Sequence, residues 1–598
     1  MAKSLPLRNE IDRKYKWKVE DIYENWSKWQ TDYDDVKKKI ERFEKYKGKL
    51  NDEKALLECL YLRDELGEKL GKLFTFTSLK RDEDTSNSTH QTYYQKGETL
   101  YSQAMTAISF IVPEILSLGK SKIEKLLEQE PKLQFYSFYL ENILRLEPHT
   151  LSMEEEKLLS LSQELNNGPA SVFGMFNNAD IKFPTINDEN GQKVELSHGR
   201  YVKFLMSKDR RVRQEAFEAM YSTYDKFKNT LAANYGTRIK GDIFYAKARK
   251  YNNSLEAELY PDNIPTEVYY NVVDTINKHL KSLHRYVALK KKMLKLEKLH
   301  MYDVYTPLAS NFSMEIPYEE AKKIVLKGCE KLGEEYIGIM DKGLEEGWID
   351  VYENKGKRSG AYSSGSYGTK PYILLNYDDT LNSTFTLAHE LGHSIHSYLS
   401  QKNQPFTYSR YNIFAAEVAS TVNEALLNDY LMETTTDKEK RFYIINQYLE
   451  AIRGTVFRQA MFAEFELKAH ELVEEGNPIT ADALQNLWIN LNEKYFGHDA
   501  VIDEPISMEW ARIPHFYRSY YVFKYVTGFS AATSIAEDIL SNKPQAKENY
   551  LAFLKGGGSD YAMNLLKKAG VDMTKPDPIE KTIAVFDRLM DELEELMS

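Results

Sequence analysis

The sequence predicts a mainly helical fold with two or more domains, and two observations support that prediction. Charged and apolar residues alternate at spacings of three and four, with almost no proline or glycine, over residues 210–250, 266–300, 436–475 and 575–598. That spacing gathers the apolar residues on one face of an α-helix. The chain has 598 residues, 42% of them hydrophobic, and can therefore bury large cores in two or more domains.

Two segments depart from the helical pattern and predict a small amount of β-structure. Residues 181–197 alternate around an Asn-Gly pair, which is typical of a β-hairpin. Residues 360–377 form a Gly/Ser/Tyr loop that runs into a short apolar strand. The hairpin gives the predicted domain boundary, with an N-terminal helical domain over 1–195 and a second domain over 196–598.

Charge and cysteine content exclude several classes of function. The chain has 79 basic and 90 acidic residues, a net charge of −11 and no long basic run, so neither nucleic acid nor a membrane surface is expected as a partner. The two cysteines, Cys59 and Cys329, are too far apart for a disulfide framework or a thiolate zinc site. The N-terminus lacks the apolar core of a signal peptide, and residues 104–118 are too few to span a bilayer, so we expect a cytoplasmic protein.

The stretch TLAHELGHSIHSYLS, residues 386–400, has the spacing of a metal site on a helix that starts near residues 378–380. His389 and His393 lie one turn apart, about 6 Å, so two imidazoles can chelate one zinc ion. Glu390 is displaced by about 100° around the axis and can act as a general base without binding the metal. A chance match to this HExxH pattern has a probability of roughly 0.04 in a chain of this composition.

A second predicted helix supplies a candidate third ligand. Glu417 and Glu424 lie seven residues apart on one helical face among apolar residues, where carboxylates are costly unless a cation compensates them. Glu417 would complete the ligand set and leave one position open for water, while Glu424 would orient a ligand histidine. The alternative is a solvated helix edge. His396 lies about 10.5 Å along the helix from His389, which excludes it as a ligand and suggests hydrogen bonding or packing instead.

These motifs carry a family resemblance. HELGHSIH, followed by AAEVAS and NEALL, resembles the M3 family of zinc oligopeptidases. RNEIDRKYKWKVEDIY, YAKARKYNNSLEAEL and YSSGSYGTKPYILLNY extend the resemblance, closest to its oligoendopeptidase F branch, over nearly the whole chain. It implies two helical halves that enclose a deep substrate channel with zinc at its floor. It also implies that His389, His393 and Glu417 bind one Zn²⁺ per chain, that Glu390 is the catalytic acid/base, and that residues 196–598 are the catalytic domain.

The resemblance further implies a His and Tyr pair from the late segment WARIPHFYRSYYVFKYVTGFS. His515 matches the histidine, whereas Tyr525 and Tyr521 compete for the second role and Tyr517 can be a packing residue. A helix that starts at Pro514 would place the tyrosines along one face. In a continuous helix Tyr525 would lie about 15 Å beyond His515, so it can share a site with His515 only if the segment bends or His515 precedes the helix.

The loop with Gly360, Gly365, Tyr367 and Gly368 is the candidate substrate-binding element. It can close over a peptide while the following strand offers its edge for backbone pairing; the alternative is a mobile surface loop. The expected function is zinc-dependent endopeptidase activity on short peptide substrates. A zinc exopeptidase of the same clan and a non-enzymatic helical scaffold with a decayed site remain as alternatives, and the sequence does not predict an oligomeric state.

Overall fold

The computed structural model describes residues 4–308 and 314–597, and it confirms the predicted mainly helical fold. None of the helices in these residues is long and apolar enough to cross a bilayer. In chain order the α-helices are α1 Trp26–Glu41, α2 Glu53–Glu83, α3 Ser88–Ile108, α4 Ile111–Gln129, α5 Ser137–Leu144, α6 Met153–Asn166, α7 Gly168–Met175, α8 His198–Leu205, α9 Arg210–Asp225, α10 Lys228–Ala248, α11 Ser254–Leu259, α12 Thr266–Lys278, α13 Leu280–Met293, α14 Tyr318–Gly328, α15 Glu334–Glu345, α16 Leu381–Asn403, α17 Ile413–Thr434, α18 Lys438–Ile452, α19 Arg458–Glu474, α20 Ala481–Phe496, α21 Phe523–Leu540, α22 Ala546–Gly556, α23 Ala562–Lys568 and α24 Asp577–Met597.

The stretches predicted to be helical are helical, but three of them contain a break. Residues 210–250 form α9 and α10, residues 266–300 contain α12 and α13, and α18 and α19 are joined by a turn of π-helix at Arg453–Phe457. The last stretch is α24, and residue 598 lies outside the described residues. Apolar periodicity therefore located the helices but not the turns within them.

The strands are short and form separate small sheets. They are β1 Thr185–Asn187, β2 Lys193–Glu195, β3 Leu299–His300, β4 Ile349–Asp350, β5 Tyr362–Ser364, β6 Tyr372–Leu374 and β7 Ala500–Val501. The antiparallel pair β1-β2 confirms the predicted hairpin, and Gly191 at its turn has a φ of +73°. β3 pairs with β7 in parallel.

The third sheet has the order β4-β6-β5 and corrects one prediction. β5 lies inside the segment predicted as a loop and runs antiparallel to β6, while β4 is parallel to β6 on its other side. Both edges of β6 are occupied, so the prediction that this strand offers an edge to a peptide is wrong. Among the described strands β5 pairs only with β6, so β5 is an edge strand of this sheet.

The chain forms two compact units, and each is assembled from three segments. The first unit comprises residues 1–150, 313–433 and 535–571, and the second comprises 151–312, 434–534 and 572–598. These segments do not follow a single division near residue 195. That boundary remains a prediction about the domain organisation of the chain.

The core of the first unit joins the N-terminal helices to the β4-β6-β5 sheet. Tyr372 and Leu374 of β6 are fully buried in the same apolar cluster as residues of α1 to α5. Asp350 on β4 is also buried, and its charge is compensated by Arg8 at 2.6 Å and Lys357 at 2.8 Å. Because a buried carboxylate is tolerated only when it is paired, this cluster fixes the sheet firmly to the chain that precedes it.

The core of the second unit is rich in aromatic rings contributed by α10, α19 and α20. Phe516, which is 1% exposed, packs between Phe465 and Trp488 with ring centroids 5.1 and 6.1 Å away. The ring of Tyr235 belongs to the same cluster, and its centroid lies 5.8 Å from that of Phe516. Aromatic burial of this kind anchors residue 516, and with it the neighbouring His515.

Candidate metal centre

Helix α16 carries the HELGH motif and begins where the sequence predicted. Thr380 is its N-cap, and the Thr380 side chain accepts a hydrogen bond from the Ser383 backbone N–H at 3.1 Å. The buried face of α16 includes Leu391 and Ile395, each 0% exposed. The histidines of the motif project from the half-buried side of the same helix.

The helices α16 and α17 touch backbone to backbone at Gly392. A Cβ atom at this position would lie 2.6 Å from the carbonyl oxygen of Ala419 and from the Cα of Ser420, so only glycine fits. Asn423 of α17 donates a hydrogen bond to the Ala388 carbonyl oxygen at 2.9 Å and is fully buried. The crossing therefore places the start of α17 beside the histidines of α16.

His389, His393 and Glu417 form a tight triangle of possible metal ligands. The two histidine Nε2 atoms are 3.2 Å apart, and Glu417 Oε2 lies 3.4 Å from that of His389 and 3.6 Å from that of His393. Tetrahedral zinc with bonds of 2.0–2.1 Å requires ligand separations of about 3.3 Å. The donor types and the spacing thus fit a zinc ion with one further position for water.

The side chain of Glu417 is 47% exposed. Solvent can therefore stabilise its charge in part, and the carboxylate needs a cation less than the apolar pattern of α17 predicted. The convergence of the three ligand atoms supports a metal site instead.

Glu424 lies behind the triangle and determines the state of His389. Its Oε1 atom is 2.5 Å from His389 Nδ1, so the proton on Nδ1 is shared with the carboxylate and Nε2 is the nitrogen that faces the centre. Burial lowers the pKa of His389, but the hydrogen bond and charge of Glu424 override it and raise the pKa to about 9. A cation at the centre would replace this added proton.

Glu390 is buried next to the triangle, with 6% of its surface exposed. Burial raises its pKa to about 7; His389 opposes the shift, Glu417 adds to it, and the backbone of Ser363 also opposes it. Among the described residues, no group lies within hydrogen-bonding distance of its Oε2 atom. A carboxyl group with this pKa and a free oxygen is suited to accepting and returning a proton near neutral pH.

His396 takes the packing role that the sequence allowed. Its ring stacks on Tyr411 with centroids 3.6 Å apart and an interplanar angle of 5°, and Phe553 packs beside it at 5.4 Å. Burial lowers the pKa of His396 to about 3, so the ring is neutral. It lies one turn below the ligand triangle and faces the core.

The predicted substrate loop is anchored to its surroundings at several points. Ser363 of β5 shares a 2.8 Å hydrogen bond with Ser394 of α16, which places the edge strand alongside the HELGH helix. Ser366 packs closely against Gly71 of α2, since a Cβ atom added at Gly71 would lie only 3.1 Å from the Cβ atom of Ser366. The ring of Tyr367 meets Phe406 edge-on at 5.8 Å.

Three glycines of this segment differ in their backbone and surroundings. Gly360 and Gly368 have positive φ values of +87° and +77°, which explains why glycine stands at these turns. Gly365 packs against the backbone of residues 370–371. The segment is thus a strand with glycine turns at its ends.

The segment around His515 belongs to the second unit and differs from the predicted helix. Pro514–Tyr517 is a single turn of 3-10 helix, Tyr520 has a φ of +54°, and α21 starts only at Phe523. The prediction of one helix with its tyrosines in a stripe is therefore wrong. His515 precedes α21, which is one of the two arrangements that allow His515 and Tyr525 to share a site.

The tyrosines of this segment separate into distinct roles. The hydroxyl of Tyr525 lies 3.4 Å from His515 Nε2, and the Tyr521 ring is parallel to His515 at 6.2 Å. Burial and the charge of Arg518 lower the pKa of His515, so its ring is neutral. Tyr517 instead stacks on Phe173 at 4.6 Å and belongs to the packing.

Sequence reasoning missed the residues that build the crossing. Gly392 lies inside the motif itself, and a glycine in the middle of a helix signals close contact because it otherwise costs stability. Asn423 and Ser363 carried no comparable signal, since their partners lie on elements far away in the sequence.

Comparisons with known proteins agree with this architecture. The family model described as peptidase family M3 matches residues 204–585, and the one described as oligopeptidase F matches residues 114–183. The chain is 48% identical to oligopeptidase PepF of Bacillus subtilis over all of this chain and 89% of that protein.

Two solved structures are similar over nearly their full length. A putative peptidase from Chlamydophila abortus has a TM-score of 0.94 at 36% identity, with 99% of this chain and 100% of that chain covered. Oligoendopeptidase-F from Enterococcus faecium has a TM-score of 0.74 at 40% identity, with 96% and 99% covered.

We predict that Gly392→Ala disrupts the helix crossing. The added methyl group meets backbone atoms that cannot rotate away, so the free energy of unfolding should fall by about 1–3 kcal/mol, and zinc retained after dialysis should drop. Thermal denaturation and metal analysis measure both effects. Gly338→Ala on α15 is the matched control, because its Cβ meets nothing within 4 Å and alanine there should be neutral or stabilising. Equal behaviour of the two variants would contradict the tight crossing.

We also predict an order of effects for the two glutamates of α17. Glu417→Ala leaves two histidine ligands and should abolish stoichiometric zinc binding, whereas Glu424→Ala should weaken it by about 10–100-fold. Zinc titration against a competing chelator measures both affinities. The opposite order would reverse the assignment of ligand and orienting residue.

Proposed function

The chain belongs to peptidase family M3, and from this premise we propose that it is a zinc-dependent endopeptidase that hydrolyses internal bonds of short oligopeptides. The triangle of His389, His393 and Glu417 carries the proposal, because its spacing fits zinc and Glu390 lies next to it. A zinc ion held there would polarise the scissile carbonyl group and lower the pKa of its water toward about 7.

Glu390 acts as the proton carrier in this proposal. Its carboxylate accepts a proton from the attacking water and then passes it to the nitrogen of the leaving amine. Burial raises the pKa of Glu390, which favours uptake of the proton from the water. Glu424 keeps His389 in the tautomer whose Nε2 atom faces the metal position.

We assign the oxyanion donors to His515 and Tyr525. The family resemblance implies a His and Tyr pair from this segment, and Tyr525 is the tyrosine whose hydroxyl reaches His515 Nε2. A neutral imidazole and a phenol can each donate one hydrogen bond to charge that develops on the carbonyl oxygen. Tyr521 is the second candidate because its ring also lies beside His515.

For substrate binding we propose that β5 presents the pairing edge in place of β6. β5 is the outer strand of its sheet, and Ser363 connects it to the HELGH helix. A peptide that adds to this edge gains backbone hydrogen bonds without regard to its side chains. Gly360, Gly365, Tyr367 and Gly368 would then border the bound peptide.

Peptides with both termini blocked provide the decisive experiment. An endopeptidase should cleave an acetylated and amidated peptide at an internal bond, lose activity when zinc is chelated and regain it when zinc is restored. Mass spectrometry identifies the products, and a folded protein serves as the resistant control. Cleavage only of peptides with a free terminus would favour the exopeptidase alternative, and the absence of metal-dependent cleavage would refute the proposal.

Glu390→Gln should keep the fold and the bound zinc yet lose nearly all turnover. The amide has the shape of the acid but cannot accept the proton. Steady-state kinetics and metal analysis of the same preparation measure both properties. A variant that retains more than about a tenth of the wild-type kcat would imply another base.

Tyr525→Phe should lower kcat by about 10²–10³-fold with little change in KM, because the hydroxyl acts only as charge develops. Tyr521→Phe is the control and should remain close to wild type. If Tyr521→Phe shows the loss and Tyr525→Phe does not, the donor is Tyr521.

A further inference from the structure

A polar network in the second unit surrounds Asp242 of α10 and takes no part in the chemistry proposed above. Asp242 accepts a hydrogen bond from the Ser519 hydroxyl at 2.5 Å and pairs with Arg238 at 2.7 Å. Arg238 Nε also donates to the Ser519 hydroxyl at 3.3 Å. His470, which is fully buried, points Nε2 at the same carboxylate from 3.4 Å. Two side chains of α10 therefore bond to one serine, and α19 approaches the same carboxylate through His470.

The residue after this serine has a strained backbone. Tyr520 has a φ of +54°, a conformation that side chains other than those of glycine, asparagine and aspartate rarely adopt. Its ring is 1% exposed and packs against His470 at 4.6 Å, while its hydroxyl lies 2.8 Å from Ser254 Oγ. The ring contact with His470 and the hydroxyl contact with Ser254 hold the left-handed turn in place.

This turn lies between the two members of the His515 and Tyr525 pair. It separates the 3-10 turn that carries His515 from α21, so the chain changes direction and the two side chains meet. In one continuous helix the same residues would be about 15 Å apart. The 3.4 Å separation in the structure thus depends on the turn at Tyr520.

The charges of the network favour one fixed geometry. Burial raises the pKa of Glu466 well above its usual range; the Tyr520 backbone opposes this shift and the charge of Asp242 adds to it. Asp242 is the carboxylate that forms the ion pair with Arg238. Charge-assisted hydrogen bonds in a buried network are short and strong, and they restrict the groups that they join.

We propose that Asp242, with Arg238 and His470, is a positioning residue that fixes Ser519 and Tyr520 and thereby places His515 and Tyr525 for catalysis. Asp242 does not touch the substrate and acts only through the turn. This inference rests on the proposed function of the His515 and Tyr525 pair.

Kinetics of Asp242→Asn in two backgrounds test the proposal. With the zinc-loaded enzyme and a short internally quenched peptide blocked at both ends, Asp242→Asn should lower kcat by about 10–100-fold with little change in KM or zinc content. In a background that carries both His515→Ala and Tyr525→Phe the same substitution should cost at most a few-fold, because both groups that it positions are already absent. An equal loss in both backgrounds, or an unchanged kcat, would overturn the proposal.

Asp225→Asn provides the matched control. Asp225 also pairs with a basic residue, Lys228 at 3.4 Å, but its side chain is 50% exposed and lies outside the network. This variant should behave as wild type. Should Asp242→Asn fail to fold, Ser519→Ala removes only the bridging hydroxyl, and a wild-type kcat for Ser519→Ala would overturn the proposal.

Hydrogen exchange separates this inference from the proposed function. Amides of residues 518–525 should exchange faster in Asp242→Asn than in wild type, whereas those of α20 should not change. If the wild-type protein has no peptidase activity, the proposed function fails, and exchange then decides whether Asp242 holds the turn. Unchanged exchange in that segment would overturn the positioning role.

Discussion

The close approach of α16 and α17 at Gly392 is the constraint on which the candidate metal centre depends. A metal site of this type needs ligand atoms within a few tenths of an ångström of their positions, and two of them lie on one helix while the third lies on another. Helix axes normally pack 8–10 Å apart because side chains separate them. The missing side chain at Gly392 lets the backbones touch, and the Asn423 hydrogen bond to Ala388 then fixes the register of the crossing.

A second constraint fixes what lies beside this crossing. The central strand β6 is buried with the N-terminal helices, and β4 is held by the paired charge of Asp350. These contacts leave β5 as the outer strand, joined to α16 through Ser363 and Ser394. The N-terminal segment of the chain, which contributes no candidate ligand, thus determines which strand edge accompanies the HELGH helix.

Features that depend on local periodicity could be predicted from the sequence, and those that depend on distant contacts could not. The i, i+4 spacing of His389 and His393 is a property of one helix, and Glu417 followed from the spacing of apolar residues on the next. The order of strands in the β4-β6-β5 sheet was missed. Strand pairing joins segments that are separate in the sequence, and the residues next to a strand do not specify its partner. The turn at Tyr520 was missed for the same reason: the partners that hold it lie on α10, α11 and α19.

The back of α16 is covered by a part of the chain that a ribosome produces late. α22 packs against α16, and Phe553 of α22 lies on His396, although more than 140 residues separate these helices in the chain. While residues 434–534 are being translated, the segments that form α16 and α17 have been made, but α22, which covers the apolar rear surface of α16, has not. The nascent chain must therefore keep this surface from aggregating until residue 571 has emerged.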